Sequence, residues 1–182
     1  MDTFTLAQIF GLLGATSMLL SSWQKTRKKV LSFLIFDSLF YFIQYILLGA
    51  LSGAFTNIIG LIRTIIFRYK ENNKHLQNKI ILYIIILMYL IIGIYTYDGI
   101  ISIFPVIVSI LYSVVLWQNN VKKIRIGTSL MLLSWLIYNV SVSAYIGAIV
   151  ETILFISTII AIIKIDILNG KVIKQIDKTV KQ

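Results

Sequence analysis

The sequence contains no cysteine and only one histidine and one proline among its 182 residues. Without cysteine the chain forms neither disulfides nor thiolate metal sites, and one histidine leaves too few parts for a metal centre or an activated nucleophile. Charged residues are scarce at 13%, whereas apolar residues reach 58%. A soluble chain of this length would not bury so much apolar surface. We therefore predict an all-α integral membrane protein that is not an enzyme and that has no cofactor and no metal.

The chain carries a formal net charge of +10, and the position of this charge is informative. In a soluble protein such a charge would suggest nucleic acid, but here we predict the lipid bilayer as partner and no nucleic acid. All but one of the 17 basic residues fall in or at the ends of alternate connections and at the C-terminal end: Lys25, Arg27, Lys28, Lys29, Arg68, Lys70, Lys74, Lys79, Lys122, Lys123, Arg125, Lys164, Lys171, Lys174, Lys178 and Lys181. Because cytoplasmic loops are enriched in lysine and arginine, we predict that the N-terminus lies outside and the C-terminus in the cytoplasm.

The apolar residues form runs that are long enough to cross a membrane. A helix needs about 20 apolar residues to span ~30 Å of hydrocarbon at 1.5 Å per residue. Seven such runs cover residues 5–22, 30–48, 53–69, 80–97, 100–117, 124–142 and 146–165. We therefore predict seven transmembrane helices.

One segment of the chain resembles a later segment of the same chain. When Trp23–Ile66 is compared with Trp117–Ile160, at an offset of 94 positions, 14 of 44 residues are identical, where roughly four would be expected by chance. The sequence therefore predicts two parallel triple-helix repeats joined by a linker helix, a 3+1+3 arrangement. The predicted divisions are 1–69 for the first repeat, 70–99 for the cytoplasmic loop and linker helix, 100–165 for the second repeat and 166–182 for a basic cytoplasmic tail.

The tail has apolar residues on one helical face, Ile173, Ile176 and Val180, with lysines around them. This pattern fits a helix that lies on a leaflet of anionic lipid. A frayed, solvated end explains it equally well.

Three charged residues, Asp37, Arg63 and Glu151, fall inside the predicted spans. Charges in hydrocarbon are costly and indicate function by default. Asp37 and Arg63 are each 13 residues from Ala50 at the outer turn, which places both roughly 20 Å below that turn. We predict that they form a buried ion pair, either as structural support or as an inner gate.

Glu151 has no basic residue at its predicted depth, but polar and aromatic residues occur near it and at the repeat-related positions. A pocket between repeats commonly holds a small polar ligand by such groups. The predicted binding residues are Tyr41, Gln44, Asn57, Trp135, Tyr138, Asn139 and Glu151. Interhelical hydrogen bonding by amide and carboxyl groups is the alternative explanation. An unpaired Glu151 would either hold a proton or pair with a cation.

Pro105, the only proline, falls inside the fifth run, opposite Gly11 in the repeat. Proline removes a backbone hydrogen bond and kinks a helix. Together with Gly11 and Gly14, it would supply a hinge for alternating access. A purely structural bend is an equal alternative.

Several short motifs resemble the bacterial inner-membrane YgjV family: Leu6-Ala7-Gln8 with Gly11, Arg63-Thr64, Pro105-Val106 with Ser109, Trp135–Asn139, Gly147 and Glu151. The predicted 3+1+3 architecture also resembles the SWEET, PQ-loop and KDEL-receptor group. The SWEET resemblance implies that Tyr41, Trp135, Asn57 and Asn139 would contact a sugar. Glu151 departs from that pattern because it replaces a neutral amide, which leaves a cationic or proton-coupled solute open.

Two functions remain open at this point. The first is a small-solute transporter or facilitator of the bacterial inner membrane, with a pocket between the repeats. The second is a non-transporting receptor or accessory protein that binds a peptide, a lipid headgroup or a partner through the same pocket.

Overall fold

The computed structural model describes residues 3–49, 51–97, 100–141 and 145–168. Within these ranges it describes every side chain except those at positions 51, 52, 71, 100–102, 104, 105, 138, 139, 141 and 145–147. The predicted amphipathic tail, including Ile173, Ile176 and Val180, lies outside the described residues.

The described chain consists of helices joined by short connections and contains no strand. Its helices are α1 (Thr3–Ser22), α2 (Arg27–Leu47), α3 (Leu51–Tyr69), α4 (Lys79–Tyr95), α5 (Ile100–Trp117), α6 (Val121–Ser141) and α7 (Tyr145–Ala161). A π-helical stretch, Ile162–Leu168, continues α7, and two short 3-10 turns, Lys70–Asn72 and Lys74–Gln77, connect α3 to α4. The prediction of an all-α protein with seven helices is confirmed.

The observed helices match the predicted runs closely, with one systematic difference. Helices α2 and α6 begin at Arg27 and Val121, three residues before the apolar runs at 30 and 124. An apolar run marks only the part of a helix that fits hydrocarbon, and the helix itself continues through the basic residues of the membrane interface.

Three described segments are long and apolar enough to cross a membrane: Thr3–Ser22, Arg27–Leu47 and Ala148–Leu168. Lys79–Tyr95 and Val106–Trp117 are apolar but shorter. The described part of the chain is therefore all-helical, with helices that suit a membrane protein. The predicted total of seven crossings and their 3+1+3 arrangement remain predictions.

The helices pack in two chain-local groups that meet each other. In the first group α1 packs along α2 and α2 along α3, and in the second α5 packs on α6 and α6 on α7. Contacts between the groups join α1 to α7 and α3 to α5, while α4 packs on α3 and α5. The interior contains a large apolar cluster, whose fully buried residues include Leu31, Phe67, Leu116, Ile124 and Leu132. Many other large apolar side chains are exposed on the outer surface, as expected for helices in contact with lipid.

The α1–α2 and α5–α6 connections have the same local structure. In the first, the Gln24 backbone N–H donates to the Ser21 carbonyl at 3.1 Å and the Val30 N–H donates to the Thr26 carbonyl at 3.0 Å. The same two bonds occur 94 positions later, again at 3.1 and 3.0 Å. The sequence offset therefore corresponds to a real local equivalence at these two turns.

Candidate functional site

Three charged residues predicted from the sequence lie within electrostatic range of one another in the bundle, where Arg63 is buried and Asp37 and Glu151 are half-buried. Asp37 on α2 and Glu151 on α7 are close enough for their carboxyl groups to interact electrostatically. Asp37 is also within electrostatic range of Arg63 on α3, and Tyr41 interacts with both carboxyl groups. We call Asp37, Tyr41, Arg63 and Glu151 the central cluster. Its members come from both helix groups.

Arg63 is held on the side that faces α4 and α5. Its Nη1 donates to the Tyr89 hydroxyl and to Ser113 Oγ, each at 3.2 Å. Its guanidinium also lies 5.3 Å from the ring centroid of Tyr112 and 5.9 Å from that of Tyr89. Aromatic faces attract a guanidinium at such distances, more strongly when water is excluded. This cation is therefore fixed by a hydroxyl and aromatic environment.

Asp37 and Arg63 do not form the close ion pair that we predicted. No ion pair within 4 Å joins these two described residues, whereas Arg125 does pair with Asp166. Because the Arg63 guanidinium is turned toward Tyr89 and Ser113, its attraction to Asp37 acts over a longer distance. The two residues thus share one region of the bundle without forming an ion pair within 4 Å.

Glu151 has a carboxyl oxygen that the described protein leaves unsatisfied. Its Oε2 is shielded from solvent and has no hydrogen-bond partner among the described residues, and the same is true of Arg63 Nε. A buried polar atom without a partner costs about 1–3 kcal/mol, and more if it is charged. Such atoms are rare in folded proteins and call for a specific explanation such as a bound ion or a functional role.

Two predicted binding residues on α2 lie against the glycines of α1. A Cβ at Gly14 would lie 2.9 Å from the Tyr41 ring, and a Cβ at Gly11 would lie 2.7 Å from Gln44 Cδ. Both contacts are too short for real atoms. Glycine at these positions therefore makes room for the two side chains. The hinge role that we predicted for Gly11 and Gly14 remains a prediction.

The other predicted residues are distributed more widely. Asn57 Nδ2 donates to the Gly53 carbonyl of its own helix at 2.9 Å. Trp135 on α6 is half-buried and interacts with other parts of the protein. The side chains of Tyr138, Asn139 and Pro105 lie outside the described set.

The sequence did not identify Tyr89, Tyr112 and Ser113 as partners of Arg63. A signal was present, because a buried arginine requires several acceptors or aromatic faces and α5 offers Tyr112 and Ser113 side by side. Selecting them required knowledge that α3 packs on α5, and the sequence pattern does not contain it.

The acidic residues of the central cluster are Asp37 and Glu151. Among the described residues, no three histidine, cysteine or acidic side chains group as metal ligands. Asp37 and Glu151 are instead suited to hold a proton or to attract a cationic group.

Long apolar helices with a few charged residues packed among them are typical of an integral membrane protein. The family model of the Imp-YgjV bacterial inner membrane proteins matches residues 5–168, and the chain belongs to this family. The protein is accordingly a bacterial inner membrane protein, as its motifs predicted. Searches of curated proteins and of solved structures found no significant match. The expected likeness to the SWEET and PQ-loop group is therefore not supported.

Proposed function

We propose that this protein transports a small cationic or proton-coupled polar solute across the inner membrane. The observation that supports it most directly is the shielded Oε2 of Glu151, which has no hydrogen-bond partner among the described residues and belongs to a carboxyl group within electrostatic range of Asp37. Ionisable residues inside a membrane commonly mark substrate paths and proton relays.

The charge balance of the central cluster favours a cation or a proton over an anion. Two carboxyl groups share the region with one guanidinium, and that guanidinium is turned toward the hydroxyl groups of Tyr89 and Ser113. With both carboxyl groups ionised, the cluster would carry one uncompensated negative charge. Burying such a charge is unfavourable, and a bound cation or proton removes the penalty.

The position of the cluster also fits transport. Asp37 and Tyr41 belong to the first helix group and Glu151 to the second. In transporters built from repeats, the substrate site commonly lies where the repeats meet. The equivalent turns at an offset of 94 residues support two such repeats in this chain, which is the 3+1+3 arrangement of our proposal. Rocking of one helix group against the other would expose the site to each side in turn.

A ligand screen followed by a flux assay tests this proposal. We would measure thermal shifts of the purified protein with polyamines, amino acids, nucleosides, vitamins and sugars at two pH values, and then flux of each hit in liposomes. Losing a hydrogen bond to a charged group weakens binding by about 10- to 100-fold, so we expect Glu151→Gln and Asp37→Asn to reduce flux by that factor. Thr152→Val is the matched control, because the Thr152 hydroxyl donates to the Ala148 carbonyl of its own helix.

Two results would contradict the proposal. If Glu151→Gln and Asp37→Asn left binding and flux unchanged, the central cluster would not be the solute site. If a ligand bound but no flux occurred, the protein would instead be a receptor or accessory protein.

A further inference from the structure

Arg27, at the start of α2, binds the end of a helix in the other group. Its Nε donates to the Gln118 carbonyl at 2.8 Å and its Nη2 to the Leu116 carbonyl at 3.1 Å, both at the C-terminal end of α5. Its Nη1 donates to the Phe67 carbonyl at 2.9 Å. The last carbonyls of a helix have no partner within it, and a guanidinium fork can satisfy several at once. Arg27 is only 5% exposed, so these bonds are shielded from water.

Arg125, in the first turns of α6, makes the reciprocal contact, because it binds the end of α1 in the first helix group. Its Nε donates to the Ser22 carbonyl at 2.8 Å and its Nη2 to the Gln24 carbonyl at 2.6 Å, both at the end of α1. Its Nη1 pairs with Asp166 at the end of the α7 extension. Arg125 is 3% exposed.

The two sets of contacts are related by the sequence repeat. Ser22 and Leu116 are 94 positions apart, as are Gln24 and Gln118. Each arginine therefore binds the same two backbone positions of the other group's first helix. Arg125 is one helical turn beyond the position equivalent to Arg27, so it lies on a similar face of its helix.

Two reciprocal contacts between a lysine and a tryptophan also join the helix groups. Lys70 Nζ lies 3.9 Å from the ring centroid of Trp117 and donates to the Trp117 carbonyl at 2.6 Å. Lys164 Nζ lies 5.8 Å from the ring centroid of Trp23. Lys70 and Lys164 are also 94 positions apart, as are the two tryptophans. Each contact again joins one helix group to the other.

We propose that Arg27 and Arg125 form a gate, which we call the arginine clasp. It closes the end of the bundle where the α1–α2 and α5–α6 connections lie, with Lys25, Lys28, Lys29, Lys122 and Lys123, which we call the lysine-rich end. This inference rests on the proposed transport function and adds the residues that control access from one side. The clasp closes the cytoplasmic entrance when the two groups are together, and it opens when one group rocks away from the other.

The geometry explains why the two halves of the clasp open together. Both arginines bind across the same boundary, so one rigid-body rotation separates both from their carbonyls. The released guanidinium groups would then lie at the lysine-rich membrane interface, where water and lipid phosphates replace the carbonyls as partners. A small cleft is lined by Arg125 and by other residues of α1, α2 and α6 that include Ser21 and Thr128. When the clasp opens, this cleft would be the first part of the path to become accessible.

Labelling of single cysteines tests the clasp directly, because the natural chain has no cysteine. Ser21→Cys reports access from the lysine-rich end, since Ser21 lines the cleft and is 4% exposed. Asn57→Cys reports access from the opposite half, since Asn57 lies six residues after the start of α3. A membrane-impermeant maleimide is applied to each face of membrane vesicles, in the parent chain and in Arg27→Gln, Arg125→Gln and Arg125→Lys.

We expect the cysteine at position 21 to react with the maleimide at least about tenfold faster in the glutamine variants. Each variant loses charge-assisted hydrogen bonds whose combined free energy exceeds the ~1.4 kcal/mol that corresponds to a tenfold change. Labelling of Asn57→Cys from the other face should fall in the same variants. Arg125→Lys should give an intermediate rate, because an ammonium group does not reproduce the planar fork. Arg68→Gln is the matched control, since Arg68 Nε donates to Ser32 Oγ within the first group.

Three results would overturn the clasp: no change in either rate, a rise at Ser21→Cys without a fall at Asn57→Cys, or a rise at both positions. The second and third would show local loosening or unfolding in place of a gate. Thermal unfolding of each variant separates a folded open state from an unfolded one. The labelling needs no solute, so absence of flux would count against the transport proposal without altering the labelling result.

Discussion

Replacement of Glu151 by methionine should make the protein more stable and less active. Glu151 Oε2 is shielded from solvent and has no partner among the described residues, and Glu151 also lies within electrostatic range of the Asp37 carboxyl group. An unsatisfied buried polar group costs about 1–3 kcal/mol. Methionine fills a similar volume without a polar atom, so Glu151→Met should recover a free energy of that order.

The change is large enough to measure by thermal unfolding in detergent. At about 3 °C per kcal/mol for a chain of this size, we expect the unfolding midpoint to rise by roughly 3–9 °C. Thr158→Val, in the same helix, provides a control of opposite sign. The Thr158 side chain is fully buried, bonds to Ser22 Oγ at 2.8 Å and donates to the Leu154 carbonyl at 2.9 Å. Losing these bonds should lower stability by about 1–2 kcal/mol.

The sign of the Glu151→Met effect decides between the two interpretations of Glu151. A group that binds a solute is retained at a cost to stability, because function and stability compete at such positions. A group that bonds helices to each other supports the fold. If Glu151→Met lowered the midpoint as Thr158→Val does, the argument for a solute or proton site at Glu151 would fail.

Two further predictions concern glycines at close helix contacts. A Cβ at Gly127 would lie 2.6 Å from Val115 Cγ2. Gly127→Ala should therefore destabilise the protein by about 1–3 kcal/mol through overpacking. Adding Val115→Ala should restore most of the lost free energy of unfolding in an equilibrium unfolding assay. An unchanged stability for the single variant would contradict the observed approach of α5 and α6. Gly11→Ala should displace Gln44, which lowers the unfolding midpoint and weakens solute binding. The double variant Gly11→Ala with Gln44→Ala should recover the unfolding midpoint. If the second change failed to recover the midpoint, Gln44 would not be the side chain that Gly11 accommodates.

The sequence predicted the helices well because the physical signal is strong. A membrane span needs a long apolar run, and the separators are short and polar, so α1 and α5 end within a residue of their predicted limits. The intramembrane charges were equally visible, since a charge in hydrocarbon stands out from its neighbours. The structure accordingly brings Asp37, Tyr41, Arg63 and Glu151 into one region.

The partners of these charges were harder to predict. We inferred from equal depth that Asp37 and Arg63 pair directly, but depth says nothing about how a helix is rotated. In a soluble helix, an apolar stripe marks the face that meets the core. In a membrane helix both the lipid-facing and the protein-facing sides are apolar, so this signal is weak. The rotation of α3 toward Tyr89 and Ser113 was therefore not readable from the sequence.

The sequence by itself determined that this is a helical membrane protein with a duplicated segment and three interior charges. Only the tertiary structure decided that Arg63 binds α4 and α5, and that Arg27 and Arg125 bind the helix ends of the opposite groups. The physical reason is that composition and periodicity indicate whether a segment suits water, lipid or a protein interior, but not which residues it contacts there. Which carbonyl meets which guanidinium depends on how neighbouring helices are placed and rotated, and packing between distant parts of the chain sets that placement.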